Sequence, residues 1–266
     1  MQTNIIQESF FHDLATAASD AALPLFRSEM SIANKDADKP GGRFDPVTVG
    51  DRNAELAMRA LIEKSYPEHG ILGEEEDDIR LDAEHVWVLD PIDGTRSFIS
   101  GIPLWATLIG LKRSGVPVAG MMAQPFIGER FFGDCQKALY SGPHGQGPLK
   151  SRDCRTVSDA LMCTTTPALF TPSERARYDR LERDVRLSRY GTDSYGYCLV
   201  AAGHIDAVVE SGLHPYDIVA LIPIIEGAGG VVTSWTGGPA TDGGQIVASG
   251  NPHLHEQILK YLEQDS

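Results

Sequence analysis

The sequence predicts an α/β fold of the α+β kind with mixed sheets, and three observations lead to this prediction. Apolar residues recur at helical spacing from about residue 5 to residue 29, so the chain should begin with an amphipathic helix. Residues 104–132 read as three strands separated by glycine-containing turns, which is typical of an antiparallel meander. Beyond residue 152, segments with strand and helix character alternate, which is typical of α/β structure.

The elements between the first helix and the meander follow from local signals. Residues 34–45 are polar and contain glycine and proline, so they should form a loop. Periodic apolar residues over 51–66 predict a second helix that begins near an aspartate. The run "GILG" then predicts a short strand, and the continuous apolar run "HVWVLD" predicts a strand covered on both faces.

A segment rich in glycine and proline, residues 141–152, is the best candidate for a junction between two domains, 1–145 and 150–266. Beyond it the sequence predicts elements in the order strand, helix, helix, strand, helix, strand. These elements are 160–167, 173–183, 194–204, 206–211, 216–230 and 229–235. Pro223 should kink the helix at 216–230 or confine its regular part to the first turns.

The composition excludes several classes of partner. The chain has 266 residues, of which 42% are hydrophobic, and a formal net charge of −14, so it lacks the basic surface that binds nucleic acid or anionic membranes. The spacings of the four cysteines match neither a zinc motif nor a disulfide framework, which indicates thiols in a reducing compartment. The N-terminus has no basic segment followed by an apolar one, and the longest apolar run, 218–225, is too short to span a bilayer. We therefore expect a cytoplasmic protein with no nucleic-acid or membrane partner.

The segment "WVLDPIDGT" places two carboxylates and a glycine at the predicted end of a buried strand. Asp90 should close the strand, because Pro91 cannot continue the hydrogen-bonded ladder. Asp93 should then cap a helix in which Gly94 and Thr95 are the first residues, and the free N–H groups of that turn would form an anion site. Alternatively, the two aspartates are only a turn residue and a helix cap.

Two further acidic positions favour a metal site over that alternative. Glu74 directly follows the short strand "GILG", although an acidic run such as 74–78 is usually a solvated surface. Asp217 begins the apolar segment "DIVAL", although it could simply cap a helix. Carboxylates that meet at strand ends and helix starts suit Mg²⁺, which prefers a few carboxylates, retained waters and phosphate oxygens. No set of cysteines and histidines in the sequence competes for zinc or copper.

Haloacid-dehalogenase-type phosphatases also have an apolar strand that ends in aspartates followed by Gly-Thr. Their two aspartates are two residues apart, whereas Asp90 and Asp93 are three residues apart. Side chains two residues apart on a strand point to the same side, and those three apart point to opposite sides. The spacing therefore disfavours the covalent mechanism of that class.

Four segments together resemble the inositol-monophosphatase-like family of Mg²⁺-dependent phosphatases. They are "DPVTVGD", "GILGEEE", "WVLDPIDGTRSFISGIPLWATLIGL" and "HPYDIVALIPIIEGAGG", in the family's order and at family-like separations over about residues 5–262. The resemblance implies a layered α-β-α-β-α sandwich, commonly a homodimer, that hydrolyses small phosphate monoesters with two or three Mg²⁺ ions per site.

The resemblance also implies roles for individual residues. The implied Mg²⁺ ligands are the carboxylates of Glu74, Asp90, Asp93 and Asp217 and the backbone carbonyl of Ile92. Gly94 and Thr95, with Asp93, would hold the phosphate, and Asp51 would pair with Thr95 to activate the attacking water. Glu74 is implied in catalysis as well, and no covalent phospho-enzyme is expected. From the residues alone, a helix cap is the alternative for Asp51.

Two local features resemble the histidinol-phosphate phosphatases of this family. Arg96 begins an Arg-Ser-Phe-Ile run after Gly-Thr, and Asp193 lies in a Gly-x-Asp-x-Tyr segment. A pocket with Asp193 and Glu210 would hold the ammonium and imidazole groups of histidinol phosphate by charge-assisted hydrogen bonds. The alternatives are a helix cap for Asp193 and a solvated strand edge for Glu210. Ser211-Gly212 lies where that subgroup often has another acidic residue.

The leading hypothesis is therefore a phosphatase that acts on histidinol phosphate in histidine biosynthesis. The nearest rival is the same reaction on myo-inositol monophosphate or on a range of sugar phosphates. A non-catalytic metal-binding protein on this fold is disfavoured, because every motif carboxylate and Thr95 are present. A phosphatase of nucleotide bisphosphates is disfavoured, because the sequence shows no convincing basic or aromatic cluster for the nucleoside.

Overall fold

The computed structural model describes residues 7–29, 32–34 and 46–263 of the protein. Over these residues the helices are α1 (Glu8–Ala22), α2 (Val49–Ser65), α3 (Thr95–Ile99), α4 (Pro172–Asp184), α5 (Asp193–Ala201), α6 (Pro215–Ile218), α7 (Leu221–Gly227) and α8 (Pro252–Leu262). Short 3-10 turns occur at Leu23–Leu25, Val157–Asp159 and Pro167–Leu169. The predicted loop at 34–45 lies outside the described residues except for Asn34.

The strands form two large sheets and one small pair. The pair consists of β1 (Ile32–Asn34) and β2 (Pro46–Thr48). The first sheet contains β3 (Gly70–Gly73), β4 (His85–Asp93), β5 (Ala106–Arg113), β6 (Val116–Gln124), β7 (Glu129–Gly133), β8 (Ala138–Gly142) and β9 (Gly145–Pro148). The second sheet contains β10 (Leu161–Thr164), β11 (Leu187–Tyr190), β12 (Ala207–Leu213), β13 (Val231–Ser234) and β14 (Gly244–Ser249).

Both large sheets are mixed, as predicted. In the first sheet the strands follow chain order, β3 and β4 pair in parallel, and β4 to β9 form an antiparallel meander. In the second sheet the order is β11-β10-β12-β14-β13, with β10 parallel to both neighbours and β14 antiparallel to both. The predicted meander and the predicted alternation of strands and helices are therefore both confirmed.

Helices and sheets stack in five layers. Helices α1 and α2 share a core with one face of the first sheet, and α5 and α7 fill the space between the two sheets. Helices α4 and α8 cover the outer face of the second sheet. This α-β-α-β-α order buries both faces of the first sheet, which explains the continuous apolar runs in its strands. Leu108 and Met122 face the inner helices, while their neighbours Ile109 and Met121 face α1 and α2.

The segment 141–152, predicted as a junction, is not a loop over most of its length. Residues 138–148 form the hairpin of β8 and β9, which extends the first sheet, and only residues 149–156 are irregular before the second half begins. Glycine-rich strands such as "GQGP" carry little apolar alternation, so the sequence did not mark them. The division into domains 1–145 and 150–266 stays a prediction, although the first sheet ends at residue 148 and the second begins at residue 161.

The helix predicted at 216–230 is interrupted, as the position of Pro223 suggested. It consists of α6 and α7, separated by Val219 and Ala220. Pro223 is the third residue of α7, where its missing N–H is not needed for the helical ladder. At the interruption the backbone lies close against the first sheet. A Cβ at Gly120 of β6 would lie only 2.0 Å from the carbonyl oxygen of Ala220. Among the described helices, none combines the length and apolar character needed to cross a bilayer.

Candidate active site

Strand β4 continues past Asp90 through a bulge. Asp90 pairs with Leu108 of β5 and Asp93 pairs with Ala106, so β4 has one extra residue in this interval. The strand therefore ends at Asp93, and Gly94 takes the capping position of α3 with a φ of +81°. The prediction that Asp90 ends the strand is wrong, because the ladder resumes at Asp93 after the bulge. The prediction that Asp93 caps the helix is also wrong, because Gly94 holds the capping position with a left-handed backbone that glycine adopts readily.

The bulge brings two aspartates of β4 next to a third from α6. Asp90, Asp93 and Asp217 each offer a carboxylate oxygen, and these oxygens lie within 4.8 Å of one another. Asp93 accepts a hydrogen bond from the backbone N–H of Ser194 at 2.8 Å. Asp217 accepts one from the backbone N–H of His214 at 2.6 Å. His214 rather than Asp217 holds the capping position of α6, so the helix-cap alternative for Asp217 is wrong.

The carboxylates crowd one another in a space that is buried at Asp90 and half-buried at Asp93 and Asp217. Burial, together with the charges of Glu74, Asp93 and Asp217, raises the pKa of Asp90 well above its usual value. Burial and the charge of Asp193 raise the pKa of Asp93 to about 7, although hydrogen bonds from Ser194 oppose this. Repulsion of this kind is relieved by protonation or by a cation among the oxygens.

The donor set fits a hard divalent cation. The Oδ1 atom of Asp90 is buried and has no hydrogen-bond partner within the described residues, which leaves a lone pair free for an ion. All three grouped side chains offer oxygen, and oxygen is the donor that Mg²⁺ and Ca²⁺ prefer. Glu74 lies outside the tight group, but its charge is among those that raise the pKa of Asp90.

Asp51 lies beside Thr95, as the resemblance implied. Its Oδ2 atom accepts hydrogen bonds from the N–H and hydroxyl of Thr48, at 2.8 Å and 2.6 Å. Its Oδ1 atom is 3.4 Å from the hydroxyl of Thr95, which also donates to the carbonyl of Ile92 at 3.0 Å. Thr48 caps α2 and Asp51 is its third residue, so the reading of Asp51 as a simple cap is wrong. Burial raises the pKa of Asp51, hydrogen bonds from Thr48 oppose the rise, and the charge of Glu74 adds to it.

Asp193 also reaches this site. Asp193 is the first residue of α5 and has a left-handed φ of +43°, and Thr192 holds the capping position. The Oδ2 atom is 3.4 Å from the hydroxyl of Ser97, and a Cβ at Gly94 would lie 3.2 Å from the same oxygen. The helix-cap alternative for Asp193 is therefore wrong. Arg96 is exposed, and its charge helps to lower the pKa of Asp193, which burial raises overall.

Glu210 is buried, with 2% of its surface exposed, so the solvated-edge alternative is wrong. Its carboxylate accepts hydrogen bonds from the N–H of Thr165 at 2.5 Å and from the hydroxyl of Thr164 at 3.1 Å. Burial raises the pKa of Glu210 to about 8, although these hydrogen bonds oppose the rise. Its charge and that of Asp193 act on each other.

Three residues that hold the site were missed in the sequence. Thr48 could have been found, because a threonine three residues before an acidic residue at a helix start is the signal of a capping box. Ser194 and Thr165 act through backbone N–H groups on carboxylates about a hundred and about forty-five residues away, respectively. No local pattern marks such tertiary contacts.

Comparison with known proteins agrees with this geometry. A family model described as "Inositol monophosphatase family" matches residues 7–266. The bifunctional phosphatase IMPL2, chloroplastic, of Arabidopsis thaliana is 39% identical over 94% of this chain and 73% of its own length. A histidinol-phosphatase of Chlorobaculum parvum is 33% identical over 93% of each protein. A solved inositol monophosphatase from Zymomonas mobilis superposes with a TM-score of 0.84 at 40% identity, covering 96% of this chain and 97% of the other. The chain belongs to the inositol monophosphatase family, whose members are metal-dependent phosphatases of small phosphate monoesters.

Proposed function

We propose that the protein is a Mg²⁺-dependent phosphate-monoester hydrolase in which water attacks the phosphorus directly. The observation that carries this proposal is the group of buried Asp90 with half-buried Asp93 and Asp217, in which one oxygen of Asp90 has no partner within the described residues. Glu74 and the backbone carbonyl of Ile92 would complete the ligands of two or three Mg²⁺ ions. When bound, these ions supply a water of lowered pKa and positive charge for the phosphate oxygens.

Thr95 and Asp51 are proposed to activate the water. The Thr95 hydroxyl would orient it, and Asp51 would take its proton through Oδ1, because Thr48 already occupies Oδ2 with two hydrogen bonds. Burial raises the pKa of Asp51, which makes its carboxylate a stronger base than an exposed one. Glu74, whose charge acts on Asp90, is proposed to contribute to water activation as well as to metal binding.

The turn at Gly94 is proposed to hold the phosphate. Its left-handed backbone lets the chain turn sharply from Asp93 to Thr95. A Cβ there would lie 3.1 Å from the carbonyl oxygen of Leu104 and would also approach the carboxylate of Asp193. A phosphate bound there would be positioned by backbone N–H groups and by the ions that the carboxylates hold.

Histidinol phosphate is the substrate we propose. Asp193 lies against Gly94 and Ser97, where its charge would bind a cationic group on the leaving alcohol. Glu210 and Arg96 would complete the substrate contacts, Glu210 through its influence on Asp193 and Arg96 from the exposed side. The relative named histidinol-phosphatase supports this choice, at 33% identity over nearly its full length.

A second candidate is myo-inositol monophosphate, or a range of sugar phosphates. The solved inositol monophosphatase at 40% identity and the relative named as a bifunctional phosphatase favour it. Inositol is a neutral polyol and would gain less from the negative charge of Asp193 than a cationic alcohol would. The charge of the leaving alcohol therefore distinguishes the two candidates.

Phosphate release from a panel of monoesters tests the substrate. The panel contains histidinol phosphate, myo-inositol 1-phosphate and a sugar phosphate, each with Mg²⁺. We expect the highest kcat/KM for histidinol phosphate, and Asp193→Asn should lower it for that substrate far more than for inositol phosphate. A higher kcat/KM for inositol phosphate in the unaltered protein would reject histidinol phosphate as the substrate.

The variant Asp93→Asn tests the class of the protein. The enzyme proposal predicts that turnover of every monoester is lost, while the fold, measured by circular dichroism, is retained. A non-catalytic metal-binding protein on this fold would release no phosphate even before the substitution. Turnover that persists in Asp93→Asn would contradict the assigned site.

We also propose that the protein is a cytoplasmic homodimer. Light scattering should then give about twice the chain mass of 28.8 kDa. A mass equal to one chain at micromolar concentration would contradict the dimer. It would not bear on the proposed reaction.

A further inference from the structure

Helix α2 carries a row of charged residues on its buried side. Asp51, Glu55 and Arg59 follow one another at intervals of four, so they lie along one face of the helix. All three are buried, with exposed fractions of 0%, 0% and 6%. Charged residues in an amphipathic helix are normally exposed, and buried ones require partners.

Glu55 and Arg59 form a buried ion pair, with 2.7 Å between Oε1 and Nε. Their remaining polar atoms bind the backbone of the acidic loop, which we define as residues 74–78. Glu55 accepts hydrogen bonds from the N–H groups of Glu75 at 2.8 Å and of Glu76 at 3.2 Å. Arg59 donates to the carbonyl oxygens of Glu76 at 3.0 Å and of Asp77 at 2.9 Å. The side chains of the pair therefore satisfy backbone N–H and C=O groups of this loop, as a neighbouring strand would in a sheet.

Gly73 shows how closely the pair packs against the chain just before the loop. A Cβ at Gly73 would lie 2.0 Å from Oε1 of Glu55 and 2.6 Å from Nη2 of Arg59. Any other residue at this position would push the pair away from the loop. The glycine that precedes Glu74 is thus explained by the ion pair.

We propose that the Glu55–Arg59 pair is a positioning device for Glu74, which fixes the loop so that the metal site is preorganised. The inference rests on the proposed function, in which Glu74 is a metal ligand. The loop contains five consecutive acidic residues, whose mutual repulsion would otherwise spread the chain. The hydrogen bonds between the pair and the backbone of 75–77 oppose that spreading and set the direction of the backbone from which Glu74 projects.

Three variants test the device, and none of them alters a proposed ligand. Glu55→Gln removes the charge of the acceptor, Arg59→Lys keeps the positive charge but cannot bind two carbonyls as a planar fork, and Gly73→Ala displaces the pair. The matched control is Asp206→Asn in the second half of the chain. Asp206 is likewise a fully buried carboxylate that accepts from an arginine, Arg152, and from the backbone N–H of Leu161 at 2.7 Å.

Two measurements do not depend on turnover. The first is hydrogen exchange of the 75 and 76 amides in metal-free protein, with the amides of β5 and β6 as a check on folding. We expect exchange at 75–76 to become roughly tenfold faster in the three variants, for hydrogen bonds of ordinary strength. The second is Mn²⁺ binding without substrate, followed by electron paramagnetic resonance of the free ion. We expect the Kd to rise roughly 10- to 100-fold in the variants.

Asp206→Asn should leave both quantities at their values in the unaltered protein, even if it unfolds at a lower denaturant concentration. Turnover in the three variants should be restored by excess Mg²⁺, because Glu74 and the other ligands are intact. If the variants bind Mn²⁺ as tightly as the unaltered protein, the pair does not position Glu74 and the inference is wrong. Unchanged exchange at 75–76 would also overturn it. If the unaltered protein binds no divalent cation, the proposed function itself fails, which is a distinct result.

Discussion

The helix starts at Thr171 and at Thr48 share one local motif, a capping box whose third helical residue is acidic. Glu174 and Asp51 each accept hydrogen bonds from the threonine three residues earlier. Burial disfavours ionisation of Glu174, but hydrogen bonds from Gln245, Ser211 and Thr171 outweigh it and lower the pKa to about 2. At Asp51 burial prevails and the pKa rises, with an added contribution from the charge of Glu74. The motif is the same, and the surroundings decide whether it stabilises the fold or belongs to the site.

A third capping box, at His214, has Asp217 as its acidic residue. It resembles the one at Thr48, because burial raises the pKa of its carboxylate. Asp217 accepts from the backbone N–H of His214, yet burial and the charge of Asp93 raise its pKa well above the usual value. Glu174 instead lies among donors that satisfy both of its oxygens. A capping-box carboxylate that lies beside other carboxylates therefore indicates a functional site. One that is surrounded by hydrogen-bond donors indicates a structural cap.

The largest expected effect comes from Asp217→Asn. Loss of this charge should lower kcat by roughly a hundred- to a thousandfold, as the loss of one electrostatic stabiliser does. Glu174→Gln, the matched change in the other capping box, should retain turnover near that of the unaltered protein. Steady-state phosphate release at saturating Mg²⁺ measures both. An equal loss of turnover in the two variants would contradict the assignment of Asp217 to the site and of Glu174 to the fold.

Asp51→Asn should lower kcat by roughly a hundredfold, because asparagine cannot accept a proton from water. The amide oxygen can still accept the hydrogen bond from Thr48, so the helix start should persist. Binding of Mn²⁺ should be unchanged, which separates Asp51 from the metal ligands. Thr48→Ser keeps the hydroxyl that holds Asp51 and serves as the control. Activity that survives in Asp51→Asn would show that this capping box is only structural.

The capping box at Thr171 should act on stability instead. Glu174→Gln should lower the free energy of unfolding by about 1–3 kcal/mol at pH 7, the cost of weakening buried hydrogen bonds to a charged group. Because the folded pKa of about 2 lies below the usual value of 4.5, the ionised group stabilises the fold above pH 4.5. That contribution is lost as the pH falls from 4.5 towards 2. Urea unfolding over this range should show the difference between the two proteins shrinking, and a constant difference would contradict the assigned pKa.

The smallest effect is expected on the exposed side of the same helix. Arg175 and Asp179 form an ion pair at 2.5 Å, and both side chains are close to half exposed. Asp179→Asn should change the free energy of unfolding by only about 0.3–0.5 kcal/mol. Urea unfolding at pH 7 measures this change beside that of Glu174→Gln. A loss as large as that of Glu174→Gln would mean that the surroundings of a carboxylate do not set its contribution.

Sequence reasoning found the fold where burial leaves a pattern. Strands β4 to β6 are covered on both faces and give long apolar runs, so the meander was predicted correctly. Strand β11, "LSRY", was missed because it is mostly exposed and has little apolar character. The strand pair over 138–148 was taken for a junction because glycine and proline signal turns as well as edge strands.

The meeting of three carboxylates was predicted, but their local geometry was not. The strand-end position of Asp90 and Asp93 and the helix start at Asp217 correctly indicated that these carboxylates meet. The capping positions were misassigned, because a β-bulge and a left-handed glycine change the count by one or more residues. The ion pair of Glu55 and Arg59 gave no signal, because its partners are backbone atoms brought near only by the fold.

The central claim is that the grouped carboxylates hold the divalent cation on which hydrolysis depends. Phosphate release by protein treated with excess EDTA, followed by addition of Mg²⁺, tests it most directly. We expect release to fall to the background rate with EDTA and to return with Mg²⁺ in the unaltered protein, but not in Asp90→Asn. Hydrolysis that continues at its full rate in EDTA would contradict the claim.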